Sequence, residues 1–541
     1  MLNIFVALFV LLMIYWWSEQ GLFSAFLHLL ITLLSGLIAL AVWEPIAMNW
    51  LLDRMPDHAW GVALLLPFVT SMFLLRYLTD KFVPNNVLFP HLFDRIGGGV
   101  VGLGSGTLTG GVLIIALQMT GMPEFFEYRP WTLGETQEPE RADTLWVPVD
   151  RITADVFSRL TEGSMAPVFA DAPTSHYYRD LSLEASLYNH ASFPDSRRAL
   201  RPANLQLMEE EPLYLLETLP SRLAEHGDLV LNADQRIAVV GTEIILQAEE
   251  GQGGADGDGS FRATPHQVTL TYENSDGTGG FAHPLGIIQR GDFGALTVAG
   301  IYATGLGDRV AYHWVFRLPA DAEPRFIRVK NARVAVPDET VEEVAAVQAL
   351  LGYDRPAVAD QAAAENTQDL SDVATVSDSL PITVDRGILE RRNVEVEGDT
   401  LYAGAANITD GGRPGQNLSV NKIHHAENAR IVQVNLGRNE PTTLLGRVIR
   451  TATAATQAPI LTDQHGTRYF PIGYIATSGR ALRFSIDPTR TVRSLSELNI
   501  GSVGEEERLL IIFQVEAGVT ITSLDLGDRT ERLNLQVPRN D

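Results

Sequence analysis

The chain has 541 residues, 41 basic against 66 acidic side chains, a formal net charge of −25 and no cysteine. The acidic balance sets nucleic-acid binding aside, because that needs clustered Lys and Arg against phosphate and no segment supplies such a patch. The lack of cysteine removes thiol catalysis, iron–sulfur clusters, cysteine-ligated zinc and disulfides, so an exported part would hold together by burial alone.

The first 125 residues are almost continuously apolar, with Arg54, Arg76, Lys81 and Arg95 as their only Lys or Arg side chains. Met1 to Trp17 reads as a first span ending in an aromatic cluster of the kind found at headgroup level. It has neither the basic start nor the small-residue cleavage site of a signal peptide, so it is read as uncleaved. Leu22 to Val42, Ala59 to Leu78 and Ile96 to Met122 follow as further spans. Each suffices for a hydrocarbon core of about 30 Å at about 1.5 Å per residue. Pro67 is expected to kink the third, and Pro123 closes the fourth.

In the fourth span Gly98, Gly102, Gly106 and Gly110 recur every four residues, which puts a nearly side-chain-free stripe on one helix face. Close backbone approach is a main source of helix association in lipid. The stripe therefore predicts a partner helix, in this chain, in a second copy or in another membrane protein. Among polar residues, Glu44 and Arg76 stand near span ends, where snorkelling accounts for them. His28 lies deeper, on a helix that also bears Thr32 and Ser35, and is expected to make an interhelical hydrogen bond or else to serve a proton or substrate. His28 and Arg76 are the intramembrane polar candidates.

Four spans place both chain ends on one side. The third connection carries Arg76, Lys81 and Arg95 and the second only Arg54, so the positive-inside rule makes the third cytoplasmic, by a margin of about one charge, and sends the soluble part outside.

From Pro123 to about Glu225 the texture is mixed. Asp150 is placed to cap a short amphipathic helix with Ile152, Val156 and Leu160 on one face and Gly163 as its stop. From His226 alternating, β-branched runs separated by Gly and Asp turns indicate an antiparallel sandwich or barrel that ends near Pro337. Thr340 with Glu343 forms a capping box for a helix that Gly352 ends. The acidic, aromatic-free stretch that follows reads as a flexible tether, and a second β-rich region begins near Ile382. Both β regions close on an apolar strand and two short ones, VFRLP to ARVAVP and IFQVE to NLQVP, which suggests a repeat.

Several motifs fail on context. Gly97, Gly99 and Gly102 satisfy G-x-G-x-x-G but lie inside a span rather than between a strand and a helix. Asp256, Asp258 and Ser260 alternate as calcium ligands do, yet Phe261 and Gln267 stand where an EF-hand needs Gly and Glu, so a flexible polar hairpin loop is expected. His424 and His425 would alternate sides on a strand and are read as surface residues. No G-x-S-x-G or P-loop occurs, and no motif calls for a catalytic residue, a metal or a cofactor.

At Asp94, Arg95, Gly98, Gly102 and Gly106 the membrane part resembles the colicin V production protein (CvpA) family, which has four N-terminal spans and a last span introduced by D-R-x-x-G-x-x-x-G-x-x-x-G. The resemblance covers roughly residues 1 to 125. Relatives commonly carry a basic–acidic pair after the Gly that opens the second span, whereas this chain has Leu22 and Phe23 after Gly21, with Glu19 before it. The resemblance implies a bacterial inner-membrane protein tied to toxin production or export and envelope stress. Some relatives carry an outward-facing serine protease, whose motifs this chain lacks.

The expected architecture is thus a four-helix transmembrane bundle (1–124), a mixed juxtamembrane region (125–225), a β-sandwich-like domain (226–337), a helix with an acidic linker (338–381) and a second such β domain (382–541). The expected function is a non-enzymatic envelope assembly or secretion factor in the inner membrane. Its external β domains would bind an envelope protein, and its fourth span would associate with itself or another membrane protein. The alternatives are a transport component whose spans form the path, or an anchored enzyme of unfamiliar type.

Overall fold

The computed structural model describes residues 2–539 except 53, 56–57, 84–86, 88, 121–127, 129, 134–138, 143–144, 163–177, 179, 188–198, 210–211, 225–230, 247–254, 257, 297–302, 339, 341–343, 352–373, 411–417, 437–457, 480, 491, 493, 495–507 and 527–528. Four long helices open the chain: α1 (Leu2–Gln20), α2 (Leu22–Ile46), α3 (Ala59–Phe82) and α4 (His91–Gln118). All four are long and apolar enough to cross a bilayer, which marks a membrane protein. Ile4, Phe5, Leu8 and Leu11 of α1 and Phe26, Leu30, Leu34 and Ile38 of α2 point outward. Apolar stripes of that extent are compatible with lipid as solvent and not with water. α2 contains Pro45 in its last turn, which removes a backbone donor, and the chain continues as a π-helical turn, Ala47–Leu51. α4 is the most enclosed of the four and packs on the other three.

Two shorter helices, α5 (Val149–Glu162) and α6 (Leu181–Leu187), lie against the bundle. Asp150 does not stand at the cap of α5 but inside its first turn, buried, where it accepts hydrogen bonds from Tyr128 Oη at 2.6 Å and Gln118 Nε2 at 3.4 Å. The packed face is only in part the one the apolar spacing marks, through Leu160, which packs on the bundle core. Val149, Thr153, Ala154 and Phe157 are buried, while Ile152 is 39% exposed. Glycines of the bundle open notches for this inner face: a methyl on Gly111 would meet Thr153 Oγ1 at 2.0 Å, and one on Gly36 would meet the Phe157 ring at 2.0 Å.

Beyond the bundle stand two β modules. In the first, the strands are β1 (Gln235–Ile245), β2 (Val268–Glu273), β3 (Gly279–Ala282), β4 (Gly286–Gln289), β5 (Asp292–Ala295), β6 (Arg309–Pro319), β7 (Glu323–Val329) and β8 (Ala332–Ala335). In the second they are β9 (Ala429–Asn435), β10 (Ile460–Asp463), β11 (Arg468–Tyr469), β12 (Pro471–Ser478), β13 (Ala481–Ile486), β14 (Arg508–Glu516), β15 (Thr520–Leu526) and β16 (Arg529–Gln536). The first module pairs them antiparallel in the orders β5-β4-β6-β1 and β8-β7-β2-β3, and the second in the orders β13-β12-β14-β9 and β16-β15-β10-β11. Adding eight to each number converts one module into the other. These eight strands therefore repeat one order; the first module also pairs Phe261–Ala263 with Ala303–Gly305, which has no counterpart among the described residues of the second.

The surroundings differ. Strands Leu205–Leu207 and Leu213–Leu216 extend the first module along β1, so it begins inside the stretch expected to be irregular; runs this short show no readable period. In the second, Ala374–Val376 pairs with β9, which turns the end of the expected acidic tether into strand. Ser379 and Leu380, the tether's last residues, open the strand Ser379–Asp385, while the tether up to residue 373 and Glu343 of the expected capping box lie outside the described residues. Past β13 the second module's sheet continues through Thr400–Ile408, Ser419–Ile423 and Ser379–Asp385 and curls around a core that includes Val384, Leu401, Ile475, Phe484 and Ile512. The central strands are buried almost end to end rather than alternating. Ala238 and Val240 of β1 face the other sheet of their module, and Ile237 and Val239 face Tyr214, Leu216 and Val347 of α7 (Val344–Leu350). Cover on both faces is what makes their apolar runs continuous.

Candidate functional site

The residues singled out from the sequence collect in the membrane bundle, and the stripe of α4 finds its partner in α1 of the same chain. A Cβ on Gly98 would stand 2.5 Å from the Trp17 carbonyl oxygen, on Gly102 2.8 Å from Trp17 Cβ and on Gly106 2.8 Å from Met13 Cβ. At Gly110 the nearest atom, Phe9 Cδ1, is 3.6 Å away, which is ordinary van der Waals contact. The close approach thus depends on three of the four glycines.

Asp94 and Arg95 clamp the turn between α1 and α2. Asp94 Oδ1 accepts the Leu22 backbone N–H at 2.8 Å, one of the orphan donors at the start of α2. Gly21 before it has φ +89°, and a methyl there would meet the Asp94 carboxylate at 2.7 Å. Arg95 pairs with Glu19. Glu19, two residues before the turn glycine, is therefore the acid that receives Arg95.

His28 and Arg76, from α2 and α3, both lie against one ring, that of Trp17. Trp17 stacks on His28 with centroids 4.3 Å apart, and the Arg76 guanidinium carbon lies 5.6 Å from the Trp17 centroid. Arg76 also bonds Asp80 at 3.0 Å and Ser24 Oγ at 3.4 Å. The expected interhelical hydrogen bond of His28 is replaced by this stack; Thr32 Oγ1 donates to the His28 carbonyl instead. Among the described residues, Trp17 Nε1, His28 Nδ1 and Arg76 Nη1 are buried without a hydrogen-bond partner.

Glu44 at the far end of α2 does not snorkel. It accepts both Arg333 guanidinium nitrogens, at 3.0 Å each, and Tyr178 Oη at 2.8 Å. Burial and the Glu44 carboxylate push the Tyr178 phenol well above its ordinary value. The Arg328 guanidinium carbon lies 4.0 Å from the Tyr178 centroid and pairs with Glu184 at 2.9 Å, both side chains being almost wholly buried. Trp43 and Trp60 complete an aromatic cluster at this junction of bundle and first module.

Within the β modules, Asp256 belongs to no flexible loop. It is buried and pairs with Lys330 Nζ at 3.1 Å, while Arg262 reaches Asp256 and Asp258 at 3.4 and 3.3 Å. Cations of the chain itself take these carboxylates because a buried charge needs a partner. His424 stacks on Tyr402 at 4.0 Å and His425 binds the Ala426 carbonyl at 2.9 Å; both are half-buried, in a turn after a strand. The two modules meet where Arg290 bonds Glu516 at 2.6 Å and Gln514 Nε2 donates to the Asp258 carbonyl at 2.6 Å. A cleft of about 320 Å³ opens there, lined by Ile288, Arg290, Arg309, His313, His465 and Leu350 among others.

Trp17, Arg333 and Lys330 were not marked by the sequence, since each acts through a partner between 11 and 289 positions away. Lys330 stands in the tight turn between β7 and β8, where a lysine is ordinarily solvated, so no local signal pointed inward. No protein-family model, curated protein or solved structure matches the chain.

Proposed function

We propose that this is a non-enzymatic scaffold of the bacterial inner membrane, of the CvpA type, whose β modules face outward and bind an envelope partner in assembly or secretion. The observation that carries the reading is the Glu44–Arg333 fork with the buried Arg328–Glu184 pair behind it. Charges withdrawn from water persist only where geometry is good, and a broken pair leaves the survivor stranded. Such a junction holds the modules at a set attitude to the bilayer, as a platform requires. The Asp94 and Arg95 contacts give the family-like motif a structural role in the same frame.

The chain has no native cysteine, so single cysteines report without background. Asp276→Cys, in an exposed turn of the first module, is expected to react with a membrane-impermeant maleimide on intact cells. Protection until the cells are opened would overturn the outward placement. Purification of the full chain in mild detergent, after photo-crosslinking from the same turn, is expected to retain one defined envelope protein. Retention of none, together with solute flux in vesicles, would favour the transport alternative.

A further inference from the structure

The Trp17–His28–Arg76 cluster is a set of donors in search of acceptors. Trp17 Nε1 and Arg76 Nη1 can only donate, and His28 Nδ1 donates in one of its tautomers. Trp17 is 6% and His28 9% exposed, while the Arg76 side chain keeps 30%, in a bundle of apolar helices. A buried donor left unmade costs about 1–3 kcal/mol, more when charged, so three together call for a ligand with several oxygens. Asp80 supplies one carboxylate, but it engages Arg76 Nε and Nη2 and stands 58% exposed, leaving Nη1 turned inward. Ser24 Oγ, at 3.4 Å from Arg76 Nη2, is the only other polar contact at Arg76 among the described residues.

Depth narrows the class. His28 is six residues from the start of α2 and Arg76 six from the end of α3, so both lie about 9 Å inside the same face of the bundle. That level is reached by the phosphate of a lipid drawn slightly inward, and an Arg fork suits phosphate oxygens. The glycine stripe makes room for the ring: Trp17 seats its Cβ against Gly102 and its carbonyl against Gly98, and its indole is thereby held against His28 and near Arg76.

We propose that this side-chain cluster binds a phosphate group, with Arg76 Nη1 and Trp17 Nε1 donating to its oxygens and His28 completing the set. The test uses the full chain in nanodiscs of dioleoylphosphatidylglycerol, transferred to a neutral detergent and examined by native mass spectrometry, beside Trp17→Phe and Arg76→Gln. Trp17→Phe keeps the ring in the glycine cradle and removes one N–H, so it should fold. The wild type is expected to retain phospholipid, and each variant to retain about tenfold less at an unchanged unfolding temperature. A parallel titration of the delipidated protein with inorganic phosphate separates the sources. Binding there that depends on Arg76 supports a free anion, and its absence alongside retained lipid supports a headgroup. Equal retention by wild type and both variants, or equal retention of a phosphorus-free glycolipid, would overturn the proposal.

Discussion

Arg333 grips Glu44 through both carboxylate oxygens at 3.0 Å, joining the edge strand of the first β module to the last turn of a membrane helix. Both side chains keep less than a fifth of their exposure, so screening by solvent is limited. Glu44→Ala strands the guanidinium and the Tyr178 hydroxyl together. The expected loss is about 1–3 kcal/mol, with faster hydrogen exchange in Ala332–Ala335. Arg333→Ala should lose a similar amount, and the double variant less than the sum of the two. Additive losses would show that the two residues do not act on one another.

The glycine stripe makes a graded prediction. Gly98→Ala and Gly102→Ala push a methyl into the backbone of α1 and should each destabilise the bundle by about 1–3 kcal/mol. Gly110→Ala meets Phe9 only at 3.6 Å and should be neutral within about 0.5 kcal/mol. Thermal unfolding in detergent ranks them. If all four glycines prove equally sensitive, packing against α1 is not what constrains them.

How much was legible in the sequence depends on the range of the interaction. The four spans were, because an apolar run long enough to cross a bilayer is hard to bury in a water-soluble fold, and β texture was visible in runs such as RIAVVGTEII. The register of Asp94 on the α2 start was not: a hydrogen bond across 72 positions leaves no local mark. α5 misled because Ile152, Val156 and Leu160 make a good apolar stripe, yet only Leu160 packs on the bundle core while Ile152 stands exposed, and an apolar side chain can meet lipid or its interface as well as protein. Spacing cannot tell which. The shared order of the two modules surfaced in sequence only as similar endings, since short antiparallel strands are specified by alternation and turns rather than by identity.

Acid should weaken the first module. Burial holds the His283 imidazole at about 4, although the Val268 and Pro265 carbonyls beside Nδ1 favour its proton; burial alone does the same at His313. With folded values below the ordinary 6.5, the neutral rings stabilise the fold fully above about pH 6.5. That contribution is lost as pH falls toward 4. Unfolding followed from about pH 7.5 to about pH 4.5 is expected to show a decline in stability that His283→Gln makes shallower. A profile unchanged by the substitution would remove His283 as its cause.

Trp146 gives the last prediction. It is 73% exposed, its backbone N–H donates to Asn3 Oδ1 at 2.7 Å, and Asn3 begins the first membrane helix. A large aromatic at that level, followed by exposed Ile152 on α5, has the composition of an interfacial segment, where an indole keeps its ring among acyl chains and its N–H among headgroups. A nitroxide on Trp146→Cys in liposomes should therefore relax faster with oxygen than with a water-soluble nickel chelate. The same label on Asp276→Cys should show the reverse, since that turn of the β module is polar and exposed. If Trp146→Cys behaves like Asp276→Cys, α5 stands clear of the bilayer, and the modules are held further out than the exposed apolar residues of this face require.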